Sequence, residues 1–279
     1  MRIHPTPRLA VLIGLGYVVM FIGLSWALGG SMADLGSAAA VRPFVLALAI
    51  GALVLTMLAT WLGWWPAVLH DEHRLGGIVR AAPVVWVVVI GIALVLGQAW
   101  TLPGDRLAWT IALAILVGFA EEVAYRGLVL VGLRATMTEG RAFLVMTLLF
   151  AVLHTPNMLL GAPPAGALVQ TVLAFLGGTG LYLIRRTTGS IIPAILLHSA
   201  WDLAAFTSTN PATGLVQLLG NGVVFVIFLV ALRRVSAPMP GTVAALPASD
   251  AAVAVAASTA PDAAVAEVHA PGDPMAGPG

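Results

Sequence analysis

Cysteine is absent from the 279 residues. Disulfides, thiolate metal sites and cysteine nucleophiles are therefore excluded. Lysine is absent too: all 13 basic residues are arginine. Such a bias towards Ala, Arg and Gly is of the kind a high-GC bacterial genome imposes. Charge is scarce as well, at 9% of residues, against about 25% in soluble domains. Hydrophobic residues make up 60%. A water-soluble core cannot hide that much apolar surface. The expected fold class is all-α, a polytopic membrane helix bundle.

What is present are long apolar runs. They fall at roughly 9–29, 43–65, 80–100, 108–133, 142–160, 166–184, 190–207 and 214–232. Each is near or above the roughly 18 residues a helical crossing needs, so about eight transmembrane helices are expected. The first run is longer than the core of a signal peptide and reads as a span. Arg2, Arg8, Arg74, Arg80, Arg134, Arg141, Arg185, Arg186, Arg233 and Arg234 fall at one set of span ends, and only Arg42 and Arg106 at the other. By the positive-inside rule both termini are expected in the cytoplasm. The helical domain is expected over 1–235. Residues 236–279 are Ala- and Pro-rich, low in complexity and free of aromatics, and are expected to be a disordered tail.

Within the spans the ionisable residues reduce to Glu121, Glu122, Arg126, His154, His198 and Asp202. Carboxylates at bilayer depth are costly and are functional by default. Glu122 and Arg126 stand four apart, with the acid N-terminal, the favourable order for an ion pair. Glu121 lies about 100° away round the helix, on the side of Tyr125. It is left as the carboxylate free for chemistry, with Glu122 and Arg126 as structural support. Phe150 and His154 share one helical face, as do His198 and Asp202. At a rise of about 1.5 Å per residue, Glu121, His154 and Asp202 come about 18–20 Å from the cytoplasmic end, and His198 about 12–14 Å. One buried polar site accounts for all four.

A carboxylate and an imidazole can share a water, take its proton and deliver the oxygen to an amide carbonyl. A second imidazole and a polar neighbour can hold the oxyanion. The same four groups, Glu121, His154, His198 and Asp202, could instead ligate a divalent metal such as Zn²⁺. Other intramembrane protease signatures are missing. There is no HExxH and no paired aspartyl motif. Gly189-Ser190 sits at a helix start, where serine is an ordinary N-cap.

Glu121-Glu122-Val-Ala-Tyr-Arg126 resembles the EExxxR motif of the CAAX-protease and bacteriocin-processing (CPBP, or Abi) family of intramembrane proteases. Phe150 to His154 resembles its FxxxH motif. Arg186 to Asp202 resembles its third region, which ends in HxxxN or HxxxD. The resemblance covers about 108–207, the catalytic core. It implies an intramembrane endopeptidase acting on peptides or proteins in or at the lipid bilayer, with no nucleic acid partner. It implies that Glu121 and His154 activate water while His198 and Asp202 complete the site. Asp202 stands where many members carry Asn. An ionised Asp cannot donate to an oxyanion, so it must be protonated, orient His198 or bind metal. The competing expectations are a proton-coupled transporter, disfavoured by the lack of internal repeats, and a non-catalytic immunity or binding protein.

Overall fold

A computed structural model describes residues 3–33, 35–72, 74–98 and 101–236. The Ala/Pro-rich tail lies outside the described residues apart from Ser236. Among the described residues there is no strand, only one isolated antiparallel bridge between His70 and Ser190. Seven helices are long and apolar enough to cross a membrane, and one shorter apolar helix completes the bundle. The chain is thus an all-α, multi-pass membrane protein.

The ends of the helices follow from their sequences. Helix α1 (Pro7–Ala27) starts where Thr6 Oγ1 accepts from Leu9 N at 3.3 Å, with proline at the first turn. Helix α2 (Ala38–Leu62) is capped by Ser37 and stopped by Gly63 at φ 69°. A short helix α3 (Trp65–Leu69) and a 3₁₀ turn (Gly77–Arg80) lead to α4 (Ala81–Gly97). Helix α5 (Gly104–Glu121) runs into a π-helical stretch, Glu122–Val129, and then α6 (Leu130–Arg134). Helix α7 (Glu139–Val152) is followed by a 3₁₀ segment, Thr155–Leu160. Helices α8 (Pro164–Thr188), α9 (Ile192–Thr207), α10 (Pro211–Val230) and α11 (Leu232–Val235) close the order. At the α9 start the N-cap is Ile191, not the expected Ser190, whose Oγ accepts from Ile192 N at 3.2 Å one residue ahead of the cap.

The outer faces keep large apolar side chains uncovered, among them Leu12, Val19, Trp26, Leu53, Trp61 and Leu159. Lipid tails are the natural cover for such faces, so the helices need small residues, not hydrophobic pressure, to meet closely. Gly118 of α5 shows this. A Cβ there would overlap Ser199 Oγ and come within 2.9 Å of Ile195 O on α9. Gly118→Val is expected to push α5 and α9 apart and to cost about 1–3 kcal/mol by overpacking. Thermal unfolding in detergent should show a lowered midpoint; an unchanged midpoint would mean that the two helices do not pack this tightly.

A second polar cluster gathers three of the span-end arginines, Arg134, Arg185 and Arg186, around Asp71 and Glu139. Arg185 and Arg186 are buried, at 0% and 3% exposure. Arg134 donates to Asp71 at 2.5 Å and to Glu139 at 2.6 and 2.9 Å. Arg185 donates from Nε to Asp71 at 3.2 Å, and from Nη1 and Nη2 to the carbonyls of Val68, Arg126 and Ala67 at 2.8, 2.5 and 2.7 Å. Arg186 and the Tyr182 hydroxyl both donate to Glu139 Oε1 at 2.5 Å. A guanidinium has five donors and no acceptor. Arg185 uses them to tie the α3 turn to the π-helical segment.

Candidate active site

The π-helical turn is the first unusual element of the site. Single π turns inside α-helices recur at functional sites. This one begins at Glu122, directly after Glu121. Glu122 and Arg126 remain opposed across it, Arg126 Nη1 donating to Glu122 Oε1 at 2.8 Å with both side chains at 0% exposure. That pair was expected from spacing. The guanidinium carbon also lies 4.0 Å from the centroid of the Phe150 ring, a cation–π contact that helps a cation whose Nε and Nη2 find no hydrogen-bond partner among the described residues. Gly178 of α8 makes room for it, since a Cβ there would come within 2.8 Å of Arg126 Nη2.

His154 is held differently from the expectation of a continuous fifth span over 142–160. The α-helix ends at Val152. Pro156 lacks an N–H and disfavours helical backbone at the residue before it. The His154 N–H turns to Ala151 O at 3.1 Å. The Phe150 carbonyl is instead taken by the His154 imidazole, Nδ1 to O at 2.7 Å. A backbone carbonyl can only accept, so Nδ1 carries the proton in this contact and Nε2 is left facing outward with its lone pair.

His198 on α9 is oriented in the same sense by a side chain. Its Nδ1 lies 2.9 Å from Glu122 Oε1, the oxygen that also accepts from Arg126. The Nδ1–H donates to the carboxylate, and Nε2 points the other way. Glu122 therefore supports two groups at once. It anchors the cation and it sets the imidazole, as second-layer carboxylates do in many sites built on histidine.

Four groups converge. His154 Nε2 stands 4.0 Å from Glu121 Oε2, and His198 Nε2 stands 3.8 Å from the same oxygen. Asp202 Oδ2 lies 3.6 Å from His198 Nε2. None of these is a hydrogen bond at such lengths. At such lengths a water lying beside the pair, rather than a direct bond, can link the two atoms. Glu121 Oε2 is buried and has no partner among the described residues. The Glu121 and His154 side chains keep 17% and 16% exposure, whereas Glu122 and Arg126 keep none. The first two can meet a small molecule; the second two cannot.

The donor types suit a zinc ion, with two imidazoles and two carboxylates. As placed, however, no group of three or more such side chains among the described residues is arranged to hold one.

These groups open into a cavity of about 320 Å³. Its walls include Glu121, His154, His198 and Asp202, and also Tyr17, Phe21, Phe44, Asn157 and Gln170. Sequence reasoning missed the latter five. They lie outside the three motifs, and nothing but their packing marks them. Tyr17 of α1 meets Tyr125 edge-on at 6.2 Å, so the first helix closes one side of the site. Asn157 donates to Gln170 Oε1 at 3.1 Å, which ties the 3₁₀ segment to α8 at the mouth.

Residues 103–204 match the family model described as type II CAAX prenyl endopeptidase Rce1-like. No curated protein and no solved structure was found to be similar to the chain. The match bears out the resemblance read from the three motifs, and all six ionisable motif residues fall inside it. It supports an intramembrane protease in general. Helices α1, α2, α4 and α10 lie outside it.

Proposed function

We propose that the chain is an intramembrane endopeptidase that hydrolyses peptide bonds of membrane-associated peptides or proteins with a water activated by Glu121 and His154. The observation that carries this reading is the unpartnered Glu121 Oε2, facing two imidazole Nε2 atoms across gaps of 3.8 and 4.0 Å. A water in those gaps donates one proton to Glu121 and its second to His154 Nε2. The oxygen lone pair is then free for a substrate carbonyl. On attack, one water proton passes to Glu121. The carbonyl electrons move to the oxygen, and the C–N bond breaks as Glu121 returns the proton to the leaving amine. Glu121 ends as it began.

His198 and Asp202 serve the oxyanion. With Nδ1–H given to Glu122, one further proton, on His198 Nε2 or on Asp202, provides the donor that the developing charge needs. Asp202 then works as a carboxylic acid or as the group that holds His198, in the place where the resemblance would put a neutral amide. Glu122 and Arg126 fix the His198 ring and the π-helical turn without touching substrate.

The test is cleavage of membrane-inserted peptides by the purified protein in lipid vesicles, with products mapped by mass spectrometry. Metal analysis and chelation belong beside it. A site that works with water alone keeps its rate in strong chelator and carries no stoichiometric metal. One bound zinc per chain, with activity lost on chelation and regained on adding zinc, would reassign Glu121, His154, His198 and Asp202 to an ion. No cleavage of any peptide would end the reading.

A further inference from the structure

Behind the two histidines lies a second cavity of about 210 Å³. It shares Phe150, His154, Gln170, His198, Asp202 and Phe206 with the first cavity. The reacting groups thus stand between two chambers, and a peptide bond placed at them has room on both sides.

The two chambers differ in chemistry. The first adds Glu121, Tyr17 and Asn157 to aromatic and aliphatic walls. The second carries Trp86, Trp201, Gln217 and Asn221 from α4, α9 and α10. Trp86 and Trp201 stack at 4.3 Å, and Gln217 is fixed by donating to Trp201 O at 3.0 Å. Asn221 has no such anchor. It is 2% exposed, and its Oδ1 has no hydrogen-bond partner among the described residues. Trp86, 1% exposed, has an indole Nε1 that is equally unpartnered. Gly177 of α8 faces this amide: a Cβ there would lie in ordinary contact, 3.7 Å from both amide atoms of Asn221.

A buried acceptor and a buried donor left unpaired ask for an occupant that supplies both partners. Water can do so at rest. A carboxamide can do so in a substrate, because it has an N–H to give and a carbonyl to receive. An apolar side chain would leave both protein groups orphaned. Sites built to hydrogen-bond reject the analogue that lacks the group more strongly than apolar sites reject a missing methylene.

We propose that the second chamber is a specificity subsite that takes an Asn or Gln side chain next to the scissile bond, with Asn221 as its main determinant and Trp86 as the donor. The inference rests on the peptidase reading above and deepens it by naming a substrate feature. It predicts substrates that carry a carboxamide on the side of the cut that enters the second chamber.

The experiment uses the full chain in vesicles and apolar peptides of about 20 residues that differ only in Asn, Gln or Leu at the two positions flanking the cut. Wild type should cleave the Asn or Gln peptide with at least about tenfold higher kcat/KM, an interval equal to one good hydrogen bond. In Asn221→Leu the ratio should collapse towards one. Equal kcat/KM in wild type overturns the proposal, and so does a preference that survives in Asn221→Leu. Should that variant fail to fold, the wild-type ratio decides alone. A binding arm separates this idea from the peptidase reading: the same peptides are titrated against Glu121→Gln. If wild type cuts nothing, hydrolysis fails as a reading, while the ratio of Kd values still decides the subsite: a carboxamide preference supports it and equal Kd values overturn it.

Discussion

Glu121→Gln is expected to lower the rate of peptide cleavage by about 10²–10⁴-fold, the usual contribution of a positioned general base, while the protein inserts and folds as before. The substitution preserves size and removes the basic oxygen. It breaks no bond, because Glu121 Oε2 has no hydrogen-bond partner among the described residues. The new amide N–H would aim at His154 and His198 Nε2, 4.0 and 3.8 Å from that oxygen in the parent, where it would occupy the place of the water. The neighbouring change behaves otherwise. Glu122 accepts from Arg126 and from His198, so Glu122→Gln weakens a fully buried ion pair and should cost stability as well as rate. Initial rates on one peptide, paired with thermal unfolding midpoints, tell the two apart. A Glu121→Gln protein that unfolds at the parent temperature and cleaves at the parent rate would remove Glu121 from the chemistry.

That contrast between adjacent glutamates was legible in the sequence, because it depends on local geometry alone. An i,i+4 spacing brings Glu122 to Arg126 and His198 to Asp202 whatever the rest of the chain does. The spans were legible for a similar reason, since each must satisfy its own backbone in lipid and so declares itself as one apolar run. Boundaries drifted by a few residues where caps, not hydropathy, set the end, as at Ser37 and Thr6. The π-helical turn could not be read. Its residues have the composition of any buried helix, and what marks it is packing: the Arg126 carbonyl is held by Arg185, which is 59 residues away. The break before His154 was readable in principle from Pro156 and was hidden by the apolar run continuing through it. The chambers draw on Tyr17, Trp86 and Asn221, which carry no charge and sit in helices far from the motifs. Only tertiary contact assigns them to the site.

Asp71→Asn is expected to destabilise the fold by about 3–5 kcal/mol, as when one partner of a buried ion pair is removed. Asp71 is the residue whose role the sequence concealed most, in a loop before α4 and with partners 63 and 114 residues away. It faces Arg134, Arg185 and Arg186, while Glu139 provides the second acid of the cluster. The parent therefore buries three cations against two anions, and the variant three against one. Arg185 is the member through which the loss should spread. Freed from Asp71, it holds the Ala67, Val68 and Arg126 carbonyls less firmly, and the π-helical turn that presents Glu122 loses a support. Cleavage should fall as well, by less than for Glu121→Gln. The pH dependence carries a sign that separates charge from shape. Burial by itself would raise the Asp71 carboxyl, but the Arg185 and Arg134 guanidiniums outweigh it and hold it below its ordinary value of 3.8. A carboxyl depressed on folding stabilises the native state fully above its unfolded pKa, and that stabilisation is lost as pH falls from 3.8 through the folded value. Near neutrality the parent midpoint should thus exceed that of Asp71→Asn by its full margin. On acidification below about pH 4 the gap should narrow, because the parent loses what the variant never had. Unfolding midpoints of both proteins in detergent, taken from pH 7 to pH 3, measure it. A gap that stays constant across that range would mean that Asp71 acts through its shape and hydrogen bonds, not through its charge.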